Sequence, residues 1–205
     1  MPEEIDDLTA LEPFEIRKRA EETDGEFVRV EVTLHPFPDG KPTESDLTHR
    51  RWIVDGIGEH FHPRQEESFH VRAGELHVVQ ERTERTLTAG EEIALPANVS
   101  HSHWNPADRP ARVAVEHRPA CQSDKLLETL YVLAQAGRTD EAGVPNVLQS
   151  MVLQKAYADH AYRADRPVSA QKALATLLAP IGRLAGYESV HSVEEIEALE
   201  RRNDR

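Results

Sequence analysis

The chain has 205 residues, of which Leu, Ile, Val and Phe supply 47. That share, about 23%, exceeds the roughly 20% below which a highly charged chain stays disordered, so one folded domain, or one domain with an appendage, is expected. Thirty-seven acidic against 24 basic residues give a formal charge of −13, a field that repels phosphate and argues against nucleic-acid or anionic-membrane partners while still allowing a small anion in a local pocket.

One cysteine, Cys121, excludes an intrachain disulfide and a Cys-based zinc site, and it reads as structural. No apolar run approaches the roughly 20 residues of a membrane span. The start of the chain is acidic and carries no signal-like apolar stretch. The expected location is cytoplasmic.

In chain order, a first strand over about 13–20 turns at Thr23-Asp24-Gly25 into a second, 27–34. There Val28, Val30, Val32 and Leu34 share one face, and Arg29, Glu31 and Thr33 the other. Residues 36–48 read as a loop and 50–55 as a short strand. Closely spaced strands follow through 111–118, with turns at Gly74 and Gly90, the pattern of a sandwich or barrel. After Cys121 the chain becomes Ala- and Leu-rich. Helices are expected over 123–137 with Ser123 as N-cap, from Pro145 to about Arg163, and over about 169–185 with Pro180 kinking or splitting it. A capping box at Ser192–Glu195 starts a last short helix. The chain thus divides into 1–120, mainly β, and a helical extension, 121–205.

The chemistry concentrates in residues 59–76 and 90–105. His60 and His62 stand two apart, so on a strand both imidazoles share a face. A turn at Pro63-Arg64-Gln65 can return Glu67 to them, and His101 can supply a third imidazole. Three imidazoles and one carboxylate leave one or two open positions on a divalent Fe, Mn, Ni, Cu, Co or Zn ion. Glu67, Phe69 and Val71 share one strand face, and Glu66, Ser68 and His70 the other.

These residues carry a family resemblance. The pattern G-x5-H-x-H-x(3,4)-E-x6-G is matched by His60, His62, Glu67 and Gly74. The pattern G-x5-P-x-G-x2-H-x3-N is matched by Gly90, Pro96, His101 and Asn105. Over about 25–118 the chain resembles a cupin. Two positions depart: the leading glycine falls on Val54, and the glycine after Pro96 is Asn98, a residue that also visits φ > 0. The stretch from Glu116 to Gln149 resembles a tail found on many small cupins of unassigned function.

The resemblance implies a double-stranded β-helix (jelly-roll) barrel with one divalent transition metal per chain, held by His60, His62, Glu67 and His101. It implies a small-molecule substrate and a homodimer. A dioxygenase-like oxidoreductase is the first expectation. A Zn- or Mn-dependent isomerase or lyase, or a non-catalytic module that binds a sugar or organic acid, is the alternative. His103, Arg64, Phe69 and His117 are the candidate substrate contacts, and Trp52 and Trp104 candidate pocket walls. No dedicated general base stands out; Glu67 and His103 are the candidates. The remaining histidines (His35, His49, His70, His77, His160 and His191) are assigned to surface or structural roles. Leu126, Leu127, Leu130 and Leu133 recur at helical spacing and read as packing. Residues 173–187 carry one basic side chain, Arg183, which speaks against membrane attachment.

Overall fold

The computed structural model describes residues 12–38 and 49–192. Most of the expected 36–48 loop, and the helix expected after Ser192, lie outside the described residues.

Among the described residues ten strands form two five-stranded sheets. In chain order they are β1 (Phe14–Lys18), β2 (Val28–Leu34), β3 (Gly56–Phe61), β4 (Glu66–Ala73), β5 (Glu75–Gln80), β6 (Thr83–Thr88), β7 (Glu92–Leu95), β8 (His101–Trp104), β9 (Ala111–Arg118) and β10 (Tyr162–Arg163). One sheet runs β1-β2-β9-β4-β7 and the other β10-β3-β8-β5-β6, with every pairing antiparallel. This is a jelly-roll barrel followed by a helical segment of α1 (Ser123–Gln135), α2 (Val147–Ala156) and α3 (Val168–Leu184). Among the described residues no helix is long and apolar enough to cross a membrane.

Strict alternation builds the core. Val28, Val30, Val32 and Leu34 of β2 and Val113 and Val115 of β9 turn inward with Phe69, Val71, Leu76 and Val78, all almost fully buried. Leu127 and Ala134 of α1 join this core, while Leu126, Leu133, Leu153 and Tyr157 form a smaller cluster between α1 and α2. The helical segment thus packs directly on the barrel. Gly143 marks the closest approach: its φ is +77°, and a Cβ there would sit 2.2 Å from the Trp52 backbone. Asn98 holds φ 64°, the left-handed conformation that the cupin pattern reserves for glycine.

Four expectations are corrected. Residues 50–55 are not a strand. Asp55 accepts from the amides of Trp52 (2.9 Å) and His35 (2.7 Å), and these bonds fold Ile53–Asp55 into a 3₁₀ turn. Ser123 is the first helical residue rather than the N-cap, because its hydroxyl is bonded to Gln65 and His160. The second helix stops at Ala156, and the chain then extends to pair Tyr162 with Phe61 and Arg163 with His60. β10 so covers the otherwise open edge of β3. Pro180 removes one backbone donor, yet α3 runs through it unbroken.

Candidate metal centre

Strand register places the cluster. His60 of β3 stands opposite His101 of β8, and Glu67 of β4 opposite His117 of β9. His62 lies just beyond β3, before the turn that leads back to β4. One ligand atom from each of His60, His62, Glu67 and His101 lies within 4.8 Å of the others, and all four residues are buried. His117, His62 and His160 form a second such group. Both sheets therefore contribute, and closing the barrel is what brings the set together.

Each of the three imidazoles is oriented by a backbone carbonyl. The Nδ1 of His60 lies 2.9 Å from the Gly58 oxygen, that of His101 2.9 Å from the Val99 oxygen, and that of His62 2.6 Å from the His160 oxygen. Nδ1–H donates in each pair, so Nε2 is the nitrogen left for the centre. His101 Nε2 lies 2.9 Å from Glu67 Oε2 and His62 Nε2 3.3 Å from the same oxygen, while His117 Nε2 lies 3.1 Å from Oε1.

Burial alone would raise the Glu67 carboxyl, but the imidazoles of His62, His101 and His117 that face it outweigh burial and hold Glu67 well below the usual carboxylate range. Burial pushes His60 down to about 3 and His103 to about 4, and it lowers His117. Burial and the neighbouring His62 and His117 hold His160 well below the ordinary value. For His101 burial is outweighed by the hydrogen bond and charge of Glu67 and by the Val99 carbonyl, which raise it. Both of its nitrogens face acceptors, so an ion bound at Nε2 would take the place of a proton there.

This donor set fits a divalent transition metal. Imidazole Nε2 atoms and a carboxylate oxygen are borderline ligands suited to such ions, the carbonyl partners fix their aim, and His62 Nε2 is buried without a well-formed hydrogen bond.

A cavity of about 200 Å³ adjoins the cluster. His60, His62 and Glu67 reach its wall, as do His103, His117 and Trp52. Neither Arg64 nor Phe69 does. Arg64 is 63% exposed and pairs with Asp159 at 3.0 Å, and Phe69 lies in the core with its ring 4.6 Å from that of His103. Trp104 packs on His77 instead. His160, assigned by sequence to a surface or structural role, is at the wall. It follows the last turn of α2 and carries no local motif; only the docking of the helical segment brings it here. Gln65, read as a loop residue, is fully buried and ties the ligand turn to the carbonyls of Pro119 and Ala120 and to Ser123.

Residues 54–117 match the family model described as a cupin domain. No curated protein matches the chain. Among solved structures it is similar to KdgF from a Halomonas species, at 18% identity over 56% of this chain and 88% of that one, with a TM-score of 0.40. It is similar to an uncharacterized conserved protein with a double-stranded β-helix domain from Klebsiella pneumoniae, at 18% identity over 51% and 74%, TM-score 0.37. A predicted oxalate decarboxylase from Thermotoga maritima shows 16% identity over 52% and 78%, TM-score 0.39.

Proposed function

The barrel belongs to the cupin superfamily, and from that premise we propose that the chain is a metal-dependent enzyme acting on a small molecule inside the barrel, with dioxygenase-type oxidation as its reaction. The observation that supports this reading is the convergence of four ligand atoms, from His60, His62, Glu67 and His101, beside a cavity with largely apolar walls. When bound there, Fe, Mn, Ni, Cu or Co would supply redox chemistry toward dioxygen, and Zn Lewis-acid chemistry of the isomerase or lyase kind. The chain itself does the positioning. Carbonyls of Gly58, Val99 and His160 lock the imidazoles, and the His117–Glu67 bond holds the carboxylate by its second oxygen. Valine and leucine walls lower the local dielectric beside the cluster and so strengthen the charges there. His103, neutral through burial and at the wall, is placed to take a proton from a bound substrate.

Elemental analysis of untagged protein purified anaerobically, beside His101→Ala, tests the site. About one redox metal per chain, lost in the variant, with dioxygen uptake on substrate addition, supports the reading. Zinc at that stoichiometry redirects it to isomerase or lyase work, and no metal after reloading sinks it. The second reading, a non-catalytic binding module, is favoured by the largely apolar lining of the cavity, which suits uptake of a small molecule without chemistry. Ligand-induced stabilisation without turnover would select it. The proposal includes a homodimer in the cytoplasm, and light scattering on the intact chain checks its assembly.

A further inference from the structure

The cavity wall is largely apolar. Val30, Val32 and Val115 come from the barrel, and Leu126, Leu130 and Leu153 from the helices. No lysine or arginine is among its described lining residues. Ser150 and Gln154 also reach the wall; Ser150 donates its hydroxyl to the Pro145 carbonyl (2.9 Å) and Gln154 gives one amide N–H to the Ala161 carbonyl (3.1 Å). The volume, about 200 Å³, is somewhat larger than the roughly 150 Å³ of an apolar cavity that takes up benzene.

The polar side carries a defined donor–acceptor pair. His117 Nε2 lies 3.1 Å from Glu67 Oε1, so Nε2–H donates and Nδ1 keeps its lone pair. That Nδ1 is buried and has no partner, in a side chain 2% exposed. On His160 the roles are reversed. The Gln65 amide donates to Ser123 Oγ at 2.8 Å, which leaves the serine hydroxyl hydrogen for His160 Nδ1 at 3.1 Å. His160 therefore carries its proton on Nε2. The two rings stand 5.1 Å apart, both at the cavity wall. One hydroxyl can donate to the first ring and accept from the second, which leaves neither unsatisfied.

We infer that the ligand of this cavity is a molecule about the size of one six-membered ring, apolar over its body, with one hydroxyl- or enol-type end against His117 and His160 and no second charged group. The inference rests on the enzyme reading for its biological meaning and narrows it: a dicarboxylate meets no lysine or arginine among the described lining residues, and beyond His117 and His160 a polyhydroxylated sugar has chiefly the His103 ring nitrogens and the Trp52 indole N–H for its hydroxyls, against a mostly apolar wall. Half of the apolar wall belongs to the helical segment, so this segment sets the substrate class while the barrel supplies the metal donors.

The test uses the full chain in a Trp104→Phe background, which leaves Trp52, fully buried at the cavity wall, as the remaining indole. Phenol, benzene, glucose and succinate are titrated against its fluorescence and by calorimetry, with metal content measured on the same samples. Phenol is expected to bind at least tenfold tighter than benzene, with glucose and succinate showing no saturable binding. His160→Phe should remove the preference for phenol while leaving benzene affinity within twofold. Leu130→Trp, which fills the cavity and is read by calorimetry because it adds an indole, should abolish both while metal content stays unchanged. Preference for glucose or succinate, equal affinity for phenol and benzene, or phenol binding that survives Leu130→Trp would overturn the inference. The ranking of the four probes on the unfilled protein decides the matter even if either variant fails to fold. Phenol selectivity in a chain that holds no metal would sink the enzyme reading and leave the ligand class standing; one metal per chain without that selectivity would do the reverse.

Discussion

Among the described residues, histidines gather around Asp55 and around Glu67, and the two groups differ in how many ring nitrogens converge on one point. Around Asp55, His35 Nδ1 lies 2.9 Å from Oδ2, its Nε2 lies 3.1 Å from the His49 carbonyl, and the amides of His35 and Trp52 complete the carboxylate. The contacts of His35 and Asp55 end inside the local fold, while His49 Nε2 is buried without a partner and one ligand atom from each of His35, His49 and Asp55 lies within 4.8 Å of the others. Around Glu67, three imidazoles spend Nδ1 on carbonyls and turn Nε2 toward a common point. The residue types are the same. The Glu67 group is distinguished by three imidazoles aimed by carbonyls at one point, and the Asp55 group by a carboxylate and a His35 ring whose bonds are spent on the backbone, with His49 Nε2 alone left over.

The largest expected effect follows from that contrast. His101→Ala should lower metal content from about one per chain to below a tenth, whereas Asp55→Ala should leave metal content unchanged. The second variant should instead cost about 3–5 kcal/mol of stability, because it strands two backbone amides and a buried imidazole. Metal analysis and urea unfolding on the same two proteins measure both. Metal loss in Asp55→Ala without unfolding would erase the distinction between the groups.

Acid should separate them next. His103 is held neutral down to about 4 and His60 to about 3 by burial, against roughly 6.5 in an unfolded chain. Below that value the unfolded state takes up protons that the folded state refuses. Stability of the metal-free protein should therefore fall as pH drops from about 6.5 to 4, by about 3 kcal/mol for His103 alone. His49, also near 4 through burial, adds to the same limb from the other group. His101 runs the opposite way: its value is raised, so its contribution is present at low pH and fades as pH rises through the folded value. Its Nε2 proton must leave before that nitrogen can bind an ion. Metal affinity should thus rise with pH until His101 has titrated, with release of a proton measurable in weakly buffered solution. An affinity independent of pH between 5 and 8 would mean that His101 is not a ligand.

The spacing of His60, His62, Glu67 and His101 was readable because strand alternation and one tight turn determine where those side chains point. The barrel strands were readable for the same reason. What escaped was whatever depends on distant docking. His160 meets His62 across 98 positions of sequence, and its role exists only because the helical segment lies on the barrel. The two-residue strand at Tyr162–Arg163 is too short to show a period and is defined by the edge it covers. Asp55 turned an expected strand into a 3₁₀ turn by capturing two amides, a side-chain effect that alternation does not register.

The smallest expected effect tests the cavity boundary. Arg64 lies in the turn between ligands, where an arginine invites assignment to an anionic substrate, yet the structure turns it outward to Asp159. Both partners are more than half exposed, at 63% and 57%, so water and salt screen the pair, and it contributes at most about 1 kcal/mol. Arg64→Ala should change unfolding free energy by less than that, with the difference shrinking as salt is added. Metal content and probe affinity should stay the same. The neighbouring turn residue behaves differently because Gln65 is fully buried, with its amide bonded to two carbonyls and Ser123. Gln65→Ala should weaken phenol binding through the loss of the Ser123–His160 orientation, where Arg64→Ala leaves it alone. A larger effect from Arg64 than from Gln65 would place the mouth of the site on the solvent side of this turn and move the cavity's polar end away from His160.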